Sequence, residues 1–541
     1  MMRRILILLG TMTAIATCLL GQNITFDRIL NANKEPQNWL TYSGAVNGQR
    51  YSPLSQITPA NVKNMELQWV WQAKSLEKFE TTALVVDGVL YTVEAPDTVV
   101  ALDAVTGRIF WTFPYTPAST ASPCCGRVNR GLAILGDTLF IGTIDAHLIA
   151  LDAVTGKVVW NTSIPIPEEG EKNRYGVTHA PLVVKDKVII GTIGGDGPIR
   201  GFIDAYDAKT GKQVWRFYTI PAPGEPGSET WPAGDRWKTG GGAVWNAGAY
   251  DAETNLTFWG IGNPSETHNP DRRVGDNLYT DSVVALDADT GKLKWYYQFT
   301  PHDDMDWDAT QVPVLADIQW QGRQRKAMLW ANRNGVMYVL DRTTGEFLSG
   351  RPFVEVNWLS GFDAKGRPQR VTGKVATEEG SHIMPTVLGA TNWYPPAYSP
   401  RTGLFYIPGW ENGGTINYLG KRSRDTGITP MADVKLLPNM RTDAEAYGVI
   451  RAFDPTSGQK KWEYKMGDTT WAGVLTTASD LLFSGSREGY FFALNARTGD
   501  LLWKVSLGGQ INSGPMTYSV NGKQYVTVAA GTSLFAFALR Q

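Results

Sequence analysis

Thr300-Pro301-His302-Asp303-Asp304-Met305-Asp306-Trp307-Asp308 puts four carboxylates within six positions. Carboxylates at that density can hold a hard cation through several oxygens, and one of them can take a proton as a general base. A solvated acidic loop is the plainer reading, and composition alone leaves it open. Asp306 and Asp308 are two residues apart, and in an extended chain such residues point the same way, so both can face one ion.

Cys124 and Cys125 are the second unusual feature. Adjacent Cα atoms stand about 3.8 Å apart, short of the usual disulfide span of roughly 4.4–6.8 Å, so bonding the two strains the chain. In an exported protein each has only the other as partner, and a pair of buried free thiols is the alternative. Strain of this kind collects at functional sites. Gly262-Asn263-Pro264, taken alone, is a common turn signal.

The chain has 541 residues, 51 basic against 52 acidic, for a net charge of −1. No global field attracts nucleic acid or an anionic membrane, and the expected partner is small. Residues 1–22 open with Arg3 and Arg4, run apolar from Ile5 to Leu9 and on to Leu20, and turn polar at Gln22. That is the outline of a cleaved signal peptide. A membrane anchor competes, but Gly10, Thr11 and Thr13 interrupt the stretch. Cys18 is a poor match to a lipoprotein site. Export places the mature chain where disulfides persist.

These residues need a scaffold, and a repeat supplies it. Ala-Leu-Asp-Ala, two residues, Gly, three residues, Trp is read at Ala101–Trp111, Ala150–Trp160, Ala205–Trp215 and Ala285–Trp295, then at Val339–Gly345 with Ser349 in the Trp place, Ala452–Trp462 and Ala493–Trp503. Ala397 to Leu404 reads as a degenerate eighth copy. Each copy joins two short strands through a turn in which Gly takes positive φ. Upstream hairpins such as Leu84–Tyr91 and Leu182–Ile189 make each unit a four-stranded antiparallel sheet. Radial repetition of such sheets is a β-propeller. The expected fold is all-β, an eight-bladed propeller over residues 23–541, its recurring Trp filling the wedge between blades. Met65–Trp71 is expected to close the ring against Ser533–Leu539. The long departures from the period, Pro221–Thr239 and Phe353–Pro385, are expected as excursions on one face, where function usually sits.

The segment Cys124-Cys125-Gly126-Arg127-Val128-Asn129-Arg130-Gly131 resembles the PQQ-dependent methanol/ethanol dehydrogenase family, and the resemblance runs from about Asn38 to the C-terminus. It implies a vicinal disulfide against one face of PQQ and Trp245, in Trp237–Trp245, stacked on the other. It implies that Arg130 binds the cofactor's carboxylates, with further cofactor contacts from Glu80, Thr178, Gly194, Gly195, Arg333, Asn392 and Trp471. Asp196, Asn263, Asp306 and Asp308 become the metal ligands, and Asp306 the catalytic base. Asp196 departs from the family's usual Glu by one methylene. An acid at Asp308 resembles the lanthanide-using members, so the expected ion is Ca²⁺ or, by preference, a lanthanide. The implied reaction is hydride transfer from a primary alcohol to PQQ in the periplasm, with a soluble cytochrome c as acceptor. A homodimer is compatible with this reading. The rivals are a non-catalytic propeller scaffold, which needs neither the cysteine pair nor the Asp306/Asp308 pair, and a quinoprotein acting on sugars or polyols.

Overall fold

The computed structural model describes residues 23–540 apart from Ser122, Glu169, Asn269, 418–433 and 437–445; of 434–436 only the backbone is described. The expected leader over residues 1–22 lies outside the described residues. Among the described residues no helix is long and apolar enough to cross a membrane.

Eight four-stranded antiparallel sheets follow one another around the ring; one of them gains a short fifth strand, Tyr51–Ser52. In the first blade the strands are Leu84–Val86, Val89–Glu94, Thr98–Asp103 and Ile109–Phe113, paired in that order. Its first three strands are almost wholly buried while the fourth alternates between half-buried and exposed, so the first strand lines the axis and the fourth faces solvent. The expected closure is present: Met65–Gln72 pairs antiparallel with Ser533–Leu539, from Met65 opposite Leu539 to Gln72 opposite Ser533. Joining both termini in one sheet removes the open edges of the ring.

One expected repeat is corrected. Ala397–Ser399 and Leu404–Glu411 are the first and second strands of a blade whose third and fourth, Tyr447–Asp454 and Gln459–Met466, already carry the copy at Ala452–Trp462. The eighth blade is the closing one, built from the two chain ends without any copy of the motif. A hairpin turn ending in Thr-Gly serves either end of a blade, so turn chemistry alone did not distinguish the two.

The repeat also explains its own spacing. Gly107 takes φ +72°, and a Cβ there would lie 2.7 Å from the ring of Trp69 on the preceding blade. Gly156 stands in the same relation to Trp111, Gly211 to Trp160, Gly291 to Trp215, Gly345 to Trp295 and Gly499 to Trp462. The indole N–H of Trp69 donates to the Ala104 carbonyl at 3.2 Å, that of Trp111 to Ala153 at 3.1 Å and that of Trp462 to Ala496 at 3.0 Å. Glycine is thus required twice over, by the turn and by the ring lying on it. Where Ser349 replaces Trp, Arg351 covers Gly458 instead.

Of the expected excursions, 353–385 forms a two-stranded ribbon, Leu359–Phe362 with Pro368–Arg370, and a strand, Ser381–Ile383, that joins Thr415–Asn417. Pro221–Thr239 carries two short 3₁₀ turns.

Candidate functional site: two walls at the propeller axis

The connections between blades run along the axis and bond to one another. Thr82 N–H donates to the Arg130 carbonyl at 3.1 Å and Arg130 N–H to the Thr178 carbonyl at 2.9 Å, so three expected cofactor segments are laced side by side. The Arg130 guanidinium pairs with Glu80 at 2.8 Å, donates to Thr178 Oγ1 at 3.1 Å, and lies over the rings of Trp245 and Trp393 at 5.2 and 4.7 Å. Glu80, Arg130 and Thr178 are all buried. Burial pushes the Glu80 carboxyl upward, against the opposing pull of Arg130 and Lys78. His179, next to Thr178, is buried with its ring nitrogens on the Ala180 carbonyl and the Gly191 N–H; burial lowers its pKa to about 4, so it is neutral. Trp393 was not expected here, and nothing in its local sequence separates it from the 20 tryptophans of the chain.

Cys124 and Cys125 form a disulfide. Their sulfurs and a carboxylate oxygen of Asp196 all lie within 4.8 Å of one another. Gly195 adjoins this point, and a Cβ there would lie 3.4 Å from Asn263 Oδ1. Asn392 spends its amide on its own loop, donating to the Leu388 carbonyl and accepting from Trp393 N–H, both at 2.9 Å. Trp471 is flanked by two cations, Lys78 Nζ and Arg487 Cζ, each 4.9 Å from its ring centroid.

The opposite wall is the acidic run. Asp303 accepts the backbone N–H groups of Met305 at 3.0 Å and Trp307 at 2.9 Å and so folds the loop onto itself. Asp304 is tied to the 353–385 excursion by Arg370 at 2.6 Å and by Ala376 N–H at 3.2 Å. Asp306 has φ +66°, a left-handed backbone, so the extended geometry expected to align it with Asp308 is absent. Arg333 brings the two together instead, donating to Asp308 Oδ2 at 2.5 Å and standing 3.4 Å from Asp306 Oδ2. Asp308 Oδ1 accepts the Asn263 N–H at 2.8 Å. The preceding Gly262 is what lets it approach, because a Cβ there would lie 2.2 Å from that oxygen.

This wall suits a hard cation. Asp306 Oδ1 is buried without a hydrogen-bond partner among the described residues. Asn263 commits its Nδ2 to Pro264 and Thr267, which leaves its Oδ1 free to ligate. Burial raises the Asp306 carboxyl well above the ordinary range, Arg333 opposing and Asp196, Asp308 and Asp303 adding to the rise. Desolvation by the surrounding protein, and then the charge of Asp308, push Asp196 up to about 6, although its side chain is exposed at the mouth of the site. Carboxylates that resist ionising beside one another are relieved by a multivalent ion.

Comparison with known proteins now decides the family. The PQQ glucose/ethanol/alcohol dehydrogenase β-propeller domain matches residues 39–356 and 463–526. The chain belongs to the PQQ-dependent methanol/ethanol dehydrogenase family. A quinoprotein alcohol dehydrogenase of Pseudomonas putida is 38% identical over 535 residues, covering 94% of this chain and 88% of the relative. The crystal structure of the quinohemoprotein alcohol dehydrogenase from Comamonas testosteroni superposes with a TM-score of 0.88 at 36% identity, over 96% of this chain and 83% of that one. A europium-containing methanol dehydrogenase superposes with a TM-score of 0.86 at 32% identity, over 95% and 100% of the two chains. The protein is a PQQ-dependent oxidoreductase of alcohols, from a family whose members use Ca²⁺ or a lanthanide.

Proposed function

We propose that the chain oxidises a primary alcohol to an aldehyde, with Asp306 as catalytic base and a metal ion held by Asp196, Asn263, Asp306 and Asp308. When bound, PQQ accepts the hydride and the ion supplies Lewis-acid polarisation beside it. The chain's own residues do the rest. Asp306 stands at the wall with a free Oδ1, ready to take the hydroxyl proton of an alcohol, while Arg333 holds the carboxylate in place through Oδ2. Arg130, Thr178 and Glu80 orient a carboxylated ligand at the far wall, and Trp245 and the Cys124–Cys125 disulfide bracket a flat ring between them. Gly194, Gly195, Asn392 and Trp471 complete the cofactor's surroundings in this reading.

The observation that carries the proposal is Asp306: left-handed, linked to Asp308 through one guanidinium, and missing a partner on one oxygen. Asp306→Asn keeps the shape and removes the base. Its expected effect is a loss of turnover of about 10²–10⁴-fold with an artificial electron acceptor, with PQQ still bound by absorbance. Turnover within a few fold of the unsubstituted protein would sink the assignment.

Export with loss of residues 1–22, a single propeller domain over 23–541, and a small soluble cytochrome c as periplasmic acceptor belong to the same proposal. A homodimer is compatible with it, and nucleic acid has no part in it. Support comes from the leader-like outline of the N-terminus and the net charge of −1.

A further inference from the structure

Asp281 is not among the residues that the acidic run or the family motifs single out, and it is the most anomalous side chain at the site. It is fully buried, and neither carboxylate oxygen has a hydrogen-bond partner among the described residues. Its position is fixed by the backbone. Asp281 N–H donates to the Gly262 carbonyl at 3.1 Å, Ile261 N–H to the Ser282 carbonyl at 2.8 Å, and Ala309 N–H to the Ile261 carbonyl at 3.2 Å. The segment Ile261–Asn263 therefore runs between Asp281–Ser282 on one side and Asp308–Ala309 on the other. Asp281 backs onto the segment that presents Asn263 and receives Asp308.

A carboxylate out of water and without a hydrogen bond needs a compensating charge. The cation that acts on it most is Arg273, whose Nη groups are directed to Asn277 Oδ1 at 2.9 Å, the Thr267 carbonyl at 2.6 Å and the Asp303 carbonyl, while its Nε has no hydrogen-bond partner among the described residues and none of its N–H groups bonds Asp281. The remaining charges that reach Asp281 are those of Asp303, Asp308 and Asp306, all of its own sign. Around Asp281, the carboxyl groups of Asp281, Asp303, Asp306 and Asp308 face the guanidiniums of Arg273 and Arg333, four acids against two cations; burial pushes Asp281 and Asp306 toward the neutral form, and a bound cation draws them back to the ionised one. Asp304 does not enter this balance, because Arg370 pairs with it.

We infer that Asp281 is a positioning charge behind the metal ligands that makes the site select a trivalent cation over a divalent one. The inference rests on the metal reading proposed above and goes beyond it, since Asp281 touches no ion. Its action is at a distance: one unit of negative charge discriminates between ions that differ by one unit of positive charge. At a separation of about 10 Å and an effective dielectric near 20, that is about tenfold in relative affinity.

The test is terbium luminescence, sensitised by neighbouring tryptophans, on the PQQ-loaded protein, with Ca²⁺ measured by competition. Asp281→Asn and Asp281→Ser are expected to lower the Tb³⁺-to-Ca²⁺ affinity ratio by about tenfold while PQQ absorbance is unchanged. A ratio that does not move overturns the inference, whether both affinities stay put or both fall together as a purely structural role would make them. Asp308→Asn separates the two readings. If it weakens Tb³⁺ binding while the Asp281 variants leave the ratio alone, the metal site stands and the inference falls. If Asp308→Asn and Asp196→Asn both leave Tb³⁺ binding intact, the metal site itself is wrong. Equal affinity of the unsubstituted protein for Tb³⁺ and Ca²⁺ overturns the inference even if neither Asp281 variant folds.

Discussion

The two walls of the site follow opposite electrostatic rules. At the Arg130 wall, guanidinium, carboxylate and hydroxyl are paired within the protein: Glu80 at 2.8 Å, Thr178 at 3.1 Å, and two indole faces over the cation. At the Asp306 wall, carboxylates outnumber their partners, and oxygens of Asp306 and Asp281 are left without hydrogen bonds. The first wall has its charges paired before anything binds, although Glu80 Oε2 meets Arg130 only as an ion pair and Arg130 Nε has no hydrogen-bond partner among the described residues. The second holds charge that only a cation can relieve, so order at the first is a property of the fold and order at the second is a property of its ligand.

That contrast can be broken in several ways. Arg130→Ala leaves Glu80 buried without its counter-ion, and the expected destabilisation is about 3–5 kcal/mol in chemical denaturation, with loss of PQQ absorbance on gel filtration. Stability unchanged in this variant would mean that the first wall is not self-compensated. For the second wall the expected effect has the other sign. Ca²⁺ or a lanthanide at about a hundred times its Kd raises unfolding stability by about 2.7 kcal/mol, and Asp306→Asn with Asp308→Asn removes most of that gain.

A finer test falls on Asp97, which lies behind the first wall and holds Asn129 Nδ2 at 2.9 Å and Ile144 N–H at 3.1 Å. Burial raises its carboxyl from 3.8 to about 7, although both hydrogen bonds oppose the rise. Between those values the folded protein keeps a proton that the unfolded chain has released, so stability falls as pH rises through that window, by up to about 1.4 kcal/mol per unit. Asp97→Asn is expected to flatten this slope in melting curves taken from pH 5 to 8. The smallest effect belongs to the ring far from either wall. Trp462→Phe removes the hydrogen bond to the Ala496 carbonyl and is expected to cost about 1 kcal/mol, with kcat unchanged.

The propeller was legible because its turns and rings repeat: Asp103, Gly107 and Trp111 recur at fixed spacing, each for a local reason that a sequence displays. The closing strand was legible too, as Met65–Trp71 with its two tryptophans at Trp69 and Trp71. The place of Ala397–Leu404 was misread, because one type of turn joins either pair of strands in a blade. At the site, residue types were visible and their pairing was not. The extended alignment of Asp306 with Asp308 failed because Asp306 is left-handed, and the link through Arg333 joins residues 25 and 27 positions apart. Trp393 was invisible because it meets Arg130 from another blade, and Asp281 because Thr280-Asp281-Ser282 reads as an ordinary strand start whose burial only the folded chain displays.

The most direct test of the two-wall account is stepwise reconstitution of the metal-free apoprotein, first with PQQ alone and then with Ca²⁺ or a light lanthanide, assayed over a series of primary alcohols with an artificial electron acceptor. The account expects aldehyde to form only after the ion is added to the PQQ-loaded protein. Alcohol oxidation at full rate with PQQ and a chelator, or none in any combination, would contradict it.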